Sequence, residues 1–188
     1  MAGTLIVGCG TLGCSVVSRL KDGDIPTLTL NWRNADVVLL PPDRASAPRT
    51  AKEAETILGP RANEIMMRFQ TVTEVVAVIG AGSIIGDLLA RMISGMNGGR
   101  FSLTVIAALP FRFEQDRRSS AIAMIKDYPE LADRVFVMDL QYSGYGEMVI
   151  GDAMQAVGAY LATVAGTIAD LMGTIPFMST FSERTYTF

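Results

Sequence analysis

Gly8, Gly10 and Gly13 stand at G-x-G-x-x-G spacing between an apolar run, Leu5 to Val7, and a stretch of helical periodicity. Glycines in such a turn let a ligand approach the backbone, and the free amides at a helix start face an anion. The chemistry this spacing supports is the cradling of a phosphate. A dinucleotide such as NAD and a nucleoside triphosphate such as GTP both use that geometry, and the turn alone leaves the two open. For NAD an acidic residue is expected at the end of the second strand. Asn31 stands there instead, followed by Trp32 and Arg33, and Arg33 suits the 2′-phosphate of NADP. A second glycine turn, with Gly80, Gly82, Ser83 and Gly86 in "GAGSIIGD", again falls between a buried apolar run and a helical pattern. Two such turns at strand ends can clasp one polyphosphate from two sides. Ile84 and Ile85 crowd this second loop with side chains, which also fits glycines that serve packing alone. Asp87, just beyond, suits a helix cap or a metal.

Other chemistry is bounded by what the chain contains. It has no histidine, which excludes histidine bases and histidine metal ligands. Its two cysteines, Cys9 and Cys14, both lie at the first turn. That placement reads as small turn residues in a reducing cytoplasm rather than a disulfide framework. A reactive thiol at a helix N-terminus is the alternative. A net charge of −3 and a pI of about 5.0 argue against general nucleic-acid binding. With 188 residues, 49% hydrophobic and 19% charged, the chain suits one globular domain with a substantial core. No signal peptide is evident at the N-terminus. The longest apolar stretch, Met148 to Met172, carries Asp152, Gln155 and Asp170, so it reads as a buried helix rather than a membrane span.

The elements that must position the two turns follow from periodicity and punctuation. Strands are expected at Leu5–Val7, Thr27–Asn31, Glu74–Ile79, Phe101–Leu109 and Val135–Leu140, with a short apolar segment at Val37–Leu40. Helices are expected at Cys14–Leu20, Thr50–Phe69 with a break at Gly59-Pro60, Leu88–Met96, Arg117–Lys126 and Asp152–Met172. Residues 41–48, rich in proline, form a loop. Strands alternating with helices predict a parallel sheet covered on both faces, a three-layer Rossmann-like α/β fold. The segment "TIPFMSTFSERTYTF" suits an edge strand or a docked tail.

Taken together, "GCGTLGCSVV" near the start, "GSIIG" at 82–86, "LTVIAALPFRFEQDRRSSAIAMI" and "DAMQAVGAYLATVAGTIADLM" resemble the nucleotide-binding domain of the FtsZ/tubulin superfamily. Pro110, Phe111, Phe113, Glu114 and Arg118 match that family's PF-x-FE-x-x-x-R pattern in register, and the long helix follows without a gap. The resemblance covers roughly residues 3 to 172. It implies a domain over 1–172 and a tail over 173–188, with no second domain. It also implies that Gly8, Cys9, Gly10, Thr11, Leu12 and Gly13 contact phosphates through backbone amides. Ala45, Ser46 and Ala47 match the loop that senses the γ-phosphate. Gly80, Gly82, Ser83 and Gly86 would close on the α- and β-phosphates, and Glu114 and Arg118 would reach the ribose and its surroundings.

The chain departs from the family at named positions. "GSIIG" replaces the signature GTGTG. Gly158 and Ala159 replace an Asn and an Asp that reach the guanine edge, and neither can hydrogen-bond a base through a side chain. Glu183 is the only carboxylate in the tail that could imitate the family's water-activating acid, so the catalytic residue stays unassigned. The resemblance therefore implies a prokaryotic, cytoplasmic protein that binds GTP or GDP, with or without magnesium, and hydrolyses GTP weakly or not at all. It would act through self-association, by default a homodimer, or through FtsZ-like or cell-division partners, with no nucleic acid and no membrane span. Two rivals stand beside it. One is a scaffold whose pocket is empty. The other is an NADP-dependent oxidoreductase using Arg33, for which the absence of histidine and of a Tyr-x-x-x-Lys pair leaves no evident proton donor.

Overall fold

Uninterrupted runs of Val, Ile, Leu and Ala make strands that are buried on both faces, the signature of a parallel sheet between two helical layers. The computed structural model, which describes residues 3–140, 150–174 and 186–187, has this architecture. Its strands are β1 (Gly3–Cys9), β2 (Thr27–Asn31), β3 (Val37–Val38), β4 (Val72–Gly80), β5 (Ser102–Leu109), β6 (Arg134–Asp139) and β7 (Tyr186–Thr187). All pair in parallel, in the order β3-β2-β1-β4-β5-β6-β7. The helices are α1 (Gly10–Val17, continued by a single 3-10 turn at Ser18–Leu20), α2 (Ala51–Leu58), α3 (Ala62–Met67), α4 (Ile84–Asn97), α5 (Gln115–Ile125), α6 (Tyr128–Leu131) and α7 (Ile150–Thr174).

Strand alternation sorts the core into two halves. Val75, Ala77 and Ile79 of β4 face a cluster with Leu89 and Ile93 of α4 and Tyr128 of α6. Val76 and Val78 face the other side, with Val16 and Val17 of α1 and Val157 and Leu161 of α7. The strand order reverses between β1 and β4, which pair from Gly3↔Val72 to Cys9↔Ile79. In open α/β sheets that reversal is where ligands bind, outside the carboxyl ends of the strands. Both glycine turns lie there, one after β1 and the other after β4.

Several boundaries differ from the sequence expectation. α1 begins at Gly10 rather than Cys14, because the glycines of its first turn hide its start. α4 begins at Ile84 rather than Leu88, so Ile84 and Ile85 are a helical first turn and not loop residues. α5 begins at Gln115. Of the apolar segment 37–40, only Val37 and Val38 form a strand. α6 was not expected, although Pro129 at its first turn is a helix-start signal. The break at Gly59-Pro60 is a 3-10 turn between α2 and α3. Tyr186 and Thr187 pair with Val135 and Phe136 at the sheet edge. Glu183 lies outside the described residues. Among the described residues no helix is long and apolar enough to cross a membrane.

Candidate functional site: a cavity between two glycine turns

Cys9 closes β1 in an extended conformation, and α1 starts at the next residue with no side chain capping it. The first amides of a helix have no partner within the helix. Here they meet no capping side chain either, so they remain available to an anion. The three glycines of the motif divide the work. Gly10 makes the turn, at φ 74°, where a side chain would be strained. A Cβ there would also lie 2.9 Å from Cγ2 of Ile85. Gly8 and Gly13 set the helix on the sheet: a Cβ on Gly8 would enter the carbonyl of Gly13, and one on Gly13 the carbonyl of Val78.

In the second turn Gly82 has φ 73°. A Cβ on Gly82 would lie 2.9 Å from the Arg117 carbonyl and 3.0 Å from Cβ of Ala121, so the missing side chain is what lets α5 sit against the turn. Ser83 caps α4 by accepting from the Gly86 N–H at 3.3 Å. Asp87 lies in the first turn of α4, and the side chain that caps the helix is Ser83 rather than Asp87. Asp87 is buried, and one carboxylate oxygen accepts from the Tyr128 hydroxyl. Burial is the main cause that raises its pKa.

A sign can be worked out from Asp87. A carboxyl with a raised folded pKa binds its proton more tightly when folded. Stability therefore falls as pH rises from the ordinary value of 3.8 through the raised one, and levels off above it. Asp87→Asn removes that dependence. The variant's stability relative to the parent is expected to increase with pH over this window, as measured by urea midpoints at several pH values. A constant difference would contradict the assignment.

Two cavities open at this end of the sheet. The smaller, about 200 Å³, is lined by Cys9, Thr11, Leu12, Gly80, Ser83 and Arg117, and so by both turns. The larger, about 480 Å³, shares Thr11 and runs along α1 past Cys14, Ser15 and Ser18 to Asn31, Trp32, Arg33, Asn34 and Ala47. Of the expected γ-phosphate loop, Ala47 lines this cavity, Ala45 accepts a hydrogen bond from Arg33, and Ser46 is exposed. The sequence reading missed Arg117, and it missed Trp32 and Asn34 as cavity walls. The single tryptophan at a strand end was the available signal for the last two.

Glu114 and Arg118 are brought near the turns but take separate partners. Glu114 accepts from the Phe111 N–H at 3.3 Å and pairs with Arg117 at 2.5 Å. Arg118 donates to the Pro110 carbonyl at 2.8 Å and forks onto both oxygens of Asp139 at 2.9 and 2.5 Å. On α7, Gly158 is covered by Arg19, whose Nε would lie 3.0 Å from a Cβ there. Ala159 is exposed. Cys9 and Cys14 are free and buried. Burial pushes the Cys14 thiol up to about 11, and Sγ points at the Gly8 and Leu30 carbonyls at 3.4 and 3.5 Å. Cys9 is raised further, again chiefly by burial. Burial thus favours the thiol over the thiolate at both positions, which argues against the reactive-cysteine alternative. Among the described residues no three His, Cys, Asp or Glu side chains cluster as for a metal.

No protein-family model matches the sequence, and no curated protein matches it. Solved structures do. An FtsZ dimer from M. jannaschii superposes with a TM-score of 0.76 at 20% identity, over 95% of this chain and 57% of that one. CetZ2 from Haloferax volcanii gives 0.73 at 16% identity, over 94% and 61%. TubZ of Clostridium botulinum phage c-st gives 0.66 at 16%, over 92% and 60%. The chain thus spans less than two thirds of each of these proteins. At such identities the likeness is one of fold, and the fold is that of the FtsZ/tubulin nucleotide-binding domain.

Proposed function

We propose that the chain binds a nucleoside di- or triphosphate, GTP or GDP, with its phosphates in the smaller cavity and its nucleoside along the larger one. The observation that carries this is the uncapped start of α1, which opens onto a cavity walled by both glycine turns at the strand-order reversal. The left-handed Gly10, with no side chain, lets the two turns approach each other at this point. The similar folds support the reading: CetZ2 was solved as a GTPγS-bound protofilament and CetZ1 as a GDP-bound monomer. Magnesium accompanies phosphates with few protein ligands, so it would be held largely by phosphate oxygens and water. Among the described residues none that lines the two cavities is a carboxylate, and hydrolysis needs an oriented water. GTP turnover is therefore weak or absent. Self-association, as in the FtsZ dimer and the CetZ2 protofilament, is the mode of action this reading favours, with a homodimer as the simplest form and FtsZ-like or cell-division partners as the alternative. The site of action would be the cytoplasm.

A scaffold without nucleotide is the second reading. Its support is that Ser83 already satisfies the Gly86 amide and Ile85 packs beside Gly10. NADP is not favoured: Arg33 is held on the Ala45 carbonyl, and the similar structures are FtsZ, CetZ and TubZ proteins. The test is direct. Purified protein is denatured and its supernatant analysed for nucleotides, and the native protein is melted with GTP, GDP, ATP and NADP. Guanine nucleotide in the supernatant, or a melting rise of several degrees at about a hundredfold excess over Kd, is expected. Neither nucleotide nor shift would favour the scaffold.

A further inference from the structure

Two adjacent arginines open α5, and they are held in different ways. Arg118 matches the family pattern, but its guanidinium is engaged by the Pro110 carbonyl and the Asp139 carboxylate, away from the walls of the small cavity. Arg117 lines that cavity. Gly82 makes this geometrically possible, because α5 is seated directly on the backbone of the second turn with the Arg117 carbonyl against it. The second turn lacks one resource that a phosphate loop offers: Ser83 occupies the Gly86 amide. A cation at the same wall replaces it.

We propose that Arg117 is the anion-binding side chain of the small cavity, and that Glu114 is its internal counter-ion, which phosphate displaces. This rests on the nucleotide reading above and deepens it. The guanidinium fork fits a phosphate as well as it fits a carboxylate. Half of the Arg117 side chain is exposed, so it can swing from one acceptor to the other without disturbing the core. A terminal phosphate brings more charge than one carboxylate and also meets the free amides of α1. Glu114 keeps its contact with the Phe111 N–H when Arg117 leaves.

The sign of the Glu114 effect sets this apart. A ribose-binding Glu114 would make Glu114→Gln weaken nucleotide binding. As a counter-ion competing with phosphate, Glu114→Gln must strengthen the binding of an anion that has no ribose. The experiment titrates inorganic tripolyphosphate and GTP into the parent chain, Arg117→Gln, Arg117→Lys and Glu114→Gln by calorimetry. Melting curves check that each variant is folded. Arg117→Gln is expected to lower tripolyphosphate affinity about tenfold or more, with partial recovery in Arg117→Lys, since charged hydrogen bonds are the strong ones. Glu114→Gln is expected to raise it severalfold. If GTP binds the parent and tripolyphosphate affinity is indifferent to Arg117→Gln or falls in Glu114→Gln, the inference is overturned while the nucleotide reading stands. If neither GTP nor tripolyphosphate binds the parent, both fall.

Discussion

Gly13→Ala is expected to cost about 3 kcal/mol or more of folding stability, read from the urea midpoint of the purified chain. Helix propensity points the other way, because alanine in a helix interior is about 1 kcal/mol better than glycine. Packing wins here. The new Cβ would run into the Val78 carbonyl and lie 3.1 Å from the Gly8 carbonyl carbon. Both are backbone atoms of central strands and cannot turn aside as a flexible side chain would. Relief requires α1 to lift from the sheet, which loosens Val16 and Val17 from their cluster and tilts the very amides that face the cavity. Gly95→Ala in the last turn of α4 is the matched control. Nothing lies within 4 Å of its Cβ position, and a gain of about 0.5–1 kcal/mol is expected there. Equal effects at the two sites would show that α1 is not packed as described.

What was legible in the sequence was what local pattern encodes. The apolar runs of β4 and β5 are buried along almost their whole length, so they stand out without any partner being known. The glycine turns announce themselves because a close backbone approach excludes every other residue. The roles of Ile84 and Ile85 were not legible. Only the start of α4 at Ile84, with Ser83 as its cap, shows that they belong to a helix. The same holds for Asp87, whose partner Tyr128 lies 41 residues away. Strand order is also a long-range property, and it is strand order that places the two turns side by side. The candidate site was thus half readable: its glycines by type, its charged residues only by their partners.

Arg118 shows that limit most sharply, and its replacement is the second large effect. The motif makes Arg118 a ligand contact, whereas its surroundings make it a brace. Its guanidinium ties the residue after β5 to the end of β6 through the Pro110 carbonyl and the Asp139 carboxylate. The two side chains are only 18% and 22% exposed, so water replaces these contacts poorly. Removing one partner of a largely buried pair strands the other charge. Arg118→Leu is therefore expected to destabilise the fold by about 2–3 kcal/mol. Asp139→Asn keeps an acceptor for the fork and is expected to cost less. The double variant should cost less than the sum of the two, because the stranded Asp139 charge is gone. Tripolyphosphate affinity, measured under conditions where each variant is fully folded, should stay within about twofold of the parent, since Arg118 does not line the small cavity. A variant with parental stability and a large loss of phosphate affinity would reverse the assignment and make Arg118, not Arg117, the residue that meets the anion.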